Sequence, residues 1–342
     1  MPDWKSQLKR VLPAFLVRGL QESTKFHFSN GWPNFPLISG YYIRNCLLAA
    51  SDFASYQASR KAIRNYRKSL MELDQAGAGT NRRNLHIIYG LKQREALHHF
   101  HWLLIEQMLR TTGADKVYFH YTYEPLGEYW ERLKPRLSLV TVPPFNYFGV
   151  TRLSHFAHKA DVVRLLALYH VGGLYLDIDT LVLKNFKEFF GSPELVLGLQ
   201  GESSKAEPYG LCNAAIVAPK GHAGIHAWLR SYQYFRSKGK DKYRDEHSVT
   251  MPLRLLRQRK DVRVLDPHVF FEINWDEAGM FFEAEKEHLV RERLTGACSQ
   301  HLWESCIMDK LMAEYTTGVP QDGSYLAVEL GRVGQSVVKQ SK

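Results

Sequence analysis

Residues 161–180, DVVRLLALYHVGGLYLDIDT, constrain this chain more than any other stretch. Val162, Leu165, Leu166 and Tyr169 follow the i, i+3, i+4, i+7 apolar pattern of a helix. Asp161 and Arg164, at i and i+3, share one face at the edge of that stripe. Gly172 and Gly173 supply a left-handed cap and a tight turn. Leu174 to Leu176 then form a short apolar strand that ends in Asp177 and Asp179. Two residues apart on a strand, both carboxylates point to the same side. Paired carboxylates at a strand's end suit a hard divalent cation, which accepts phosphates as co-ligands. Ligands of open α/β sheets bind beyond the carboxyl ends of strands. One segment therefore delivers an acid, a guanidinium and a metal-binding pair to one cleft.

From residue 84 onward, strand and helix patterns alternate. Strands are expected over 85–89, 117–121, 137–142, 194–199 and 212–218. Helices are expected over 94–110, 127–133, 222–236 and 246–258. Such alternation predicts an α/β fold with a mainly parallel central sheet. Residues 1–83 differ: thirteen Lys or Arg stand against five Asp or Glu, within a chain of net charge +10. This segment is expected to be a basic, mainly helical extension, notably over 41–73, followed by a linker at Gly77, Gly79 and Thr80. Its run of Arg60, Lys61, Arg64, Arg67 and Lys68 is either a solvated face or a surface for an anionic membrane or acidic partner. No nucleic-acid-binding motif accompanies it, so nucleic acid is not expected as a partner. Residues 319–342 are expected to be a loose tail. The expected division is therefore 1–83, 84–318 and 319–342.

A bare Asp-x-Asp occurs about once by chance in a chain of this size. The ordered set is more specific: Ala160-Asp161-x-x-Arg164, then Tyr169-x-x-Gly172-Gly173-x-Tyr175-x-Asp177-x-Asp179. It resembles the sugar-binding DXD glycosyltransferases, family 32 and its relatives among the large glucosylating toxins. Residues 84–90, NLHIIYG, resemble that family's opening strand, with Tyr89 where Trp is common. Residues 211–221 resemble its later strand with Asn213 near the sugar. His301-x-Trp303 resembles its closing motif. The resemblance runs over roughly residues 84 to 310.

The resemblance implies a GT-A-type fold and metal-dependent, retaining transfer of a hexose from a nucleotide diphosphate sugar, UDP- rather than GDP-, to a hydroxyl acceptor. It implies a donor site formed by His86, Tyr89, Asp161, Arg164, Asp177, Asn213 and Trp303. Asp161 and Arg164 would hold sugar hydroxyls, and the Trp303 indole N–H would reach the leaving phosphate. Asp161, Arg164, Asp177 and Trp303 form the expected catalytic set. Asp177, Asp179 and His301 are the expected metal ligands, and an imidazole among them favours Mn²⁺ over Mg²⁺.

Two alternatives stay open at this point. LYLDIDTLVL also matches the opening motif of haloacid-dehalogenase phosphatases, with Asp177 as nucleophile, although no later paired acids complete that magnesium site. A non-catalytic sugar-nucleotide-binding protein of the same fold is the other. His98, His99 and His101 are read as structural. No Gly-x-Ser-x-Gly elbow or Walker loop is present. Cys46, Cys212, Cys298 and Cys306 lack metal or disulfide spacing and are expected to be reduced thiols. No apolar run approaches the ~18 residues that cross a bilayer, and Pro13 breaks the short apolar start, a poor signal peptide. The expected location is cytoplasmic, or the secretory pathway for a trimmed form.

Overall fold

The computed structural model describes residues 35–75, 83–202 and 205–340. Much of the basic segment and its Gly-rich linker therefore lie outside the described residues.

Two helices come first, α1 (Phe35–Ser51) and α2 (Phe53–Gln75). The segment 41–73, expected to be helical, is divided between them, with a break at Asp52. Tyr56, Ser59, Ile63, Tyr66 and Leu70 form the buried stripe of α2 at alternating spacings of three and four. That stripe packs on the main core, so α1 and α2 are part of the folded body rather than an appended extension.

The sheet follows with β1 (Asn84–Ile88), helix α3 (His99–Thr111), β2 (Lys116–Tyr121), helix α4 (Glu128–Leu133) and β3 (Ser138–Thr141). A small hairpin, β4 (Tyr147–Phe148) with β5 (Thr151–Arg152), leads to α5 (Phe156–His170). Then come β6 (Gly173–Leu176), β7 (Thr180–Val182), β8 (Leu195–Glu202) and β9 (Lys205–Ala218). Helices α6 (Ala223–Ser231) and α7 (Met251–Leu256) precede β10 (Val262–Leu265). The chain ends with α8 (Glu287–Arg293), β11 (Ser299–His301), α9 (Glu304–Glu314) and α10 (Tyr325–Gln340).

Seven strands form one sheet in the order β10-β8-β9-β6-β1-β2-β3. The pairs β3–β2, β2–β1, β1–β6 and β8–β10 are parallel, while β9 runs antiparallel to both neighbours. The expected mainly parallel α/β sheet is present. Alternation along each strand feeds two cores. Leu85, Ile87, Val117, Phe119, Leu174 and Leu176 face the layer of α3 and α10. Tyr118, Tyr175, Leu197 and Ile216 face α2, α5 and α6. Together α5 and β6 place the Asp161–Asp179 segment at the centre of the sheet. Gly172 and Gly173 have φ of +74° and +116°, and a Cβ would meet Lys220 N at 2.7 Å and Asn84 O at 2.5 Å. Only glycine fits this turn.

His86 lies wholly inside the molecule. Its Nε2 is 3.0 Å from Gly172 O, its Nδ1 is 2.9 Å from His120 Nε2, and His120 Nδ1 is 2.9 Å from the Tyr66 hydroxyl. Both ring nitrogens are thus occupied, which corrects the assignment of His86 to the donor site. Residues 325–340 correct the expected loose tail. Tyr325, Leu326 and Leu330 of α10 are buried, and Arg110 of α3 bonds Ser336 Oγ at 2.6 Å. Cys46, Cys212 and Cys298 are buried free thiols, and Cys306 is an exposed one. Among the described residues, no helix is long and apolar enough to cross a membrane.

Candidate active site

A cleft of about 330 Å³ opens at the carboxyl ends of β1 and β6. Tyr89, Lys92, Arg164, Asp177, Asp179 and Glu304 stand in its wall. The strand β6 stops at Leu176, so Asp177 to Asp179 form a turn rather than a continued strand. Asp177 N bonds Ala214 O at 2.8 Å, and Thr180 N bonds Asp177 O at 3.1 Å. The turn still brings both carboxylates to one side.

Arg164 is the electrostatic centre. Its Nη1 donates to Asp177 Oδ1 at 2.9 Å and to Asn213 O at 2.8 Å. Its Nη2 is 3.4 Å from Asp161 Oδ1, and its Cζ sits 4.5 Å from the Tyr175 ring centroid. Asn213 Nδ2 donates to Asp161 Oδ1 at 2.7 Å. The Tyr175 hydroxyl donates to Asp177 Oδ1 at 2.5 Å. Burial would raise the Asp161 carboxyl, but His158, Arg164 and Asn213 outweigh it and hold it below the usual carboxylate range. For Asp177 burial prevails over Arg164 and His301, and its carboxyl is raised. Asp161 is only 4% exposed and, with Asn213, does not line the cleft. Both stand behind Arg164 and fix it, a placement that alters their expected direct contact with a sugar.

The late segment folds back on the aspartates. The strand β11 pairs antiparallel with β7, setting His301 opposite Thr180. His301 Nε2 is 3.1 Å from Asp179 Oδ1 and 3.7 Å from Asp177 Oδ2. Glu304 N donates to Asp179 Oδ2 at 2.8 Å, and Leu302 N to Asp179 O at 2.9 Å. Burial opposes ionisation of Asp179, yet His301 and the Glu304 amide bring its carboxyl down to about 2. Burial likewise opposes the His301 imidazolium, but Asp179 and Asp177 raise its pKa. Asp177, Asp179 and His301 each offer one ligand atom, all within 4.8 Å of one another. Two carboxylates with one imidazole fit a small divalent cation such as Mn²⁺.

Residues 128–196 match the family described as "Glycosyltransferase sugar-binding region containing DXD motif", and residues 246–319 match "Alpha 1,4-glycosyltransferase conserved region". Two stretches of the chain, one holding Asp161 to Asp179 and one holding His301 and Trp303, thus carry conserved regions of DXD glycosyltransferases. The chain is 35% identical over 242 residues to "Glucan organizing enzyme 1" of Cryptococcus neoformans var. grubii, covering 66% of this chain and 63% of that protein. It is 26% identical over 154 residues to "Lactosylceramide 4-alpha-galactosyltransferase" of Rattus norvegicus, covering 42% of this chain and 40% of that protein. The chain thus spans less than two thirds of the length of either relative. Among solved structures, the galactosyltransferase LgtC with donor and acceptor sugar analogs has 12% identity and a TM-score of 0.38, over 74% of this chain and 95% of that one. The apo form of glycosyltransferase GlyE of Streptococcus pneumoniae TIGR4 has 12% identity and a TM-score of 0.41, over 76% of this chain and 64% of that one.

One expected catalytic group is otherwise engaged. The Trp303 indole N–H donates to Ile273 O at 2.8 Å, and the side chain is 8% exposed. The N–H expected to meet a leaving phosphate is therefore taken. Trp303 instead packs on His301, ring centroids 4.3 Å apart, and turns the chain into α9 with φ of 60°. His98 and His101, read from sequence as structural, both line the cleft. His101 Nε2 is 3.1 Å from Glu304 Oε1. Their i, i+3 spacing was the available signal. Glu304 gave none beyond following the closing motif.

Proposed function

We propose that this chain, as a DXD glycosyltransferase, moves a hexose from a nucleotide diphosphate sugar, UDP-linked in preference to GDP-linked, to a hydroxyl acceptor with retention, and that it requires a divalent cation, Mn²⁺ before Mg²⁺. The observation that carries this reading is the shared Asp177 carboxylate. One oxygen belongs to Arg164 and Tyr175 and the other faces His301, with Asp179 beside it in the same cleft.

Asp177, Asp179 and His301 would hold the cation. When bound, it would supply Lewis-acid stabilisation of charge growing on the leaving diphosphate. The protein's own groups do the rest. Asp161 and Asn213 lock Arg164, and Arg164 with Tyr175 fixes the direction of Asp177. Tyr89 offers an aromatic wall for the base or sugar, and Lys92 puts a cation at the cleft for phosphate. The closing turn at 301–304 covers Asp179 and limits water. Asp177 is held on Oδ1 by Arg164 and Tyr175, and Glu304 pairs with His101, while Glu95 also stands in the cleft wall. The hold on Asp177 disfavours the phosphatase alternative, which needs Asp177 for attack. Retention rests on the resemblance to the family, with front-side departure and attack as the default.

The test is hydrolysis and transfer with a panel of UDP- and GDP-hexoses, with and without Mn²⁺. Asp179→Asn is expected to lower the rate by about 10²–10³, the range for losing one preorganised charge-stabilising group. Full activity in excess chelator would overturn the metal requirement. Unchanged donor binding in Asp179→Asn would separate a misplaced ligand from an inactive fold.

A further inference from the structure

A second groove, of about 460 Å³, shares no lining residue with the cleft. Arg60, Arg64 and Arg67 of α2 line it from one side, at i, i+4 and i+7, so all three project from one helical face. Arg230 lines it from α6. Phe148, Tyr169, Leu166 and Leu229 give it an aromatic and apolar floor. Among the described residues, no carboxylate lines it. Among the described residues, Arg60, Arg64 and Arg67 make no ion pair, although Arg67 lies 6.0 Å over the Phe148 ring. Such a cluster is self-repelling, and its effect is already felt. Burial, and then the charges of Arg230 and Arg67, lower the pKa of His226. Burial and Arg67 do the same to His170.

The surroundings choose among anions. Phe53, seven residues before Arg60 on the same face of α2, is 49% exposed, and the preceding helix α1, which does not line the groove, exposes Ile43 and Leu47 at 45% and 56%. Arg44, Lys61 and Lys68 are exposed on them as well. Exposed apolar groups with flanking cations are the signature of elements that lie in a membrane interface. A soluble phosphate would use the arginines and leave those apolar groups without purpose. A lipid uses both.

We propose that this groove binds the phosphate headgroup of an anionic membrane lipid, with Arg60, Arg64 and Arg67 as its donors. The surface is separate from the cleft, so the proposal stands or falls independently of the glycosyl-transfer reading.

Vesicle co-sedimentation of the full chain tests it. The protein is expected to bind phosphatidylcholine vesicles containing phosphatidylserine or a phosphatidylinositol phosphate, and to ignore pure phosphatidylcholine. Each basic residue near such a surface is worth about fivefold, so replacing Arg60, Arg64 and Arg67 together by Gln should weaken binding on the order of 100-fold. Arg64→Glu alone, at an exposed position, should cost about 25-fold, a loss and a reversal of one charge. Arg254, Arg257 and Lys260, three exposed cations elsewhere, serve as the matched control when replaced by Gln. Equal losses from the groove and control triples would reduce the effect to net charge and overturn the site. Binding to pure phosphatidylcholine would also overturn it. So would tight binding of inorganic phosphate or inositol phosphates that depends on the arginines while anionic vesicles are ignored.

Discussion

Arg164 carries more of the cleft's charge balance than any neighbour, because Asp161 and Asp177 both lean on it. Removing it leaves two nearly buried carboxylates without their partner. Arg164→Ala is therefore expected to cost about 3–5 kcal/mol of stability, the cost of breaking a buried pair from one side. Arg164→Lys keeps the charge but not the planar fork, and should retain the fold while losing most activity. Urea denaturation beside a donor-hydrolysis assay separates the two. A fully stable Arg164→Ala protein would show that the network is not what holds the cleft. At this scale the sequence was informative where spacing alone decides geometry. Asp161, Arg164, Asp177 and Asp179 converge because a helix and a glycine turn leave them little choice, whereas His301 was expected there only from the resemblance of the closing motif. Trp303 was misjudged because its partner, the carbonyl of Ile273, sits thirty residues away on an irregular segment that no period announces. His86 was misjudged because an apolar strand says which residues are inside, not which end of the sheet a side chain serves.

Among the elements, the helices at the two ends of the described chain were the least legible. The α10 segment contains Gly331 and Gly334, which weaken helix propensity and suggest a loose tail. Packing overrides propensity here: Tyr325, Leu326, Leu330 and Val333 of α10 are buried against the core that holds α3. Leu326 is 0% exposed within the same core as Leu85 and Phe119. Leu326→Ala is expected to destabilise the whole protein by about 2–5 kcal/mol, as buried large-to-small changes do. Chemical denaturation measures it, and a change under ~0.5 kcal/mol would mean that α10 behaves as a surface element. The stripe of α2 was visible in its three-and-four spacing. Its target was not, since nothing local says that Tyr66 will meet a histidine of β2.

At the scale of the whole molecule, the boundary expected near residue 83 dissolves, and first helices, sheet and last helix share their cores. The join between α2 and the sheet has a direction. Gly172 O can only accept, so His86 Nε2 must carry a hydrogen, His86 Nδ1 must accept from His120 Nε2, and His120 Nδ1 must accept from Tyr66. Every site along this wire is filled once. An extra proton on His86 Nδ1 would set two donors face to face, and one on His120 Nδ1 would force the Tyr66 hydroxyl to turn and accept. Burial already pushes His86 down to about 4 and His120 well below its ordinary value. Unfolded histidines titrate near ~6.5, so the folded state binds protons less readily than the unfolded one. Its stability is complete above that pH and drains away as pH falls toward 4, by about 3 kcal/mol for His86 alone. Urea midpoints at pH 7 and pH 4.5 measure the loss, and equal midpoints would refute the wiring. The protein's acid sensitivity would then be set at the centre of its sheet, where α2 is soldered to β1 and β2 by two rings that burial keeps neutral.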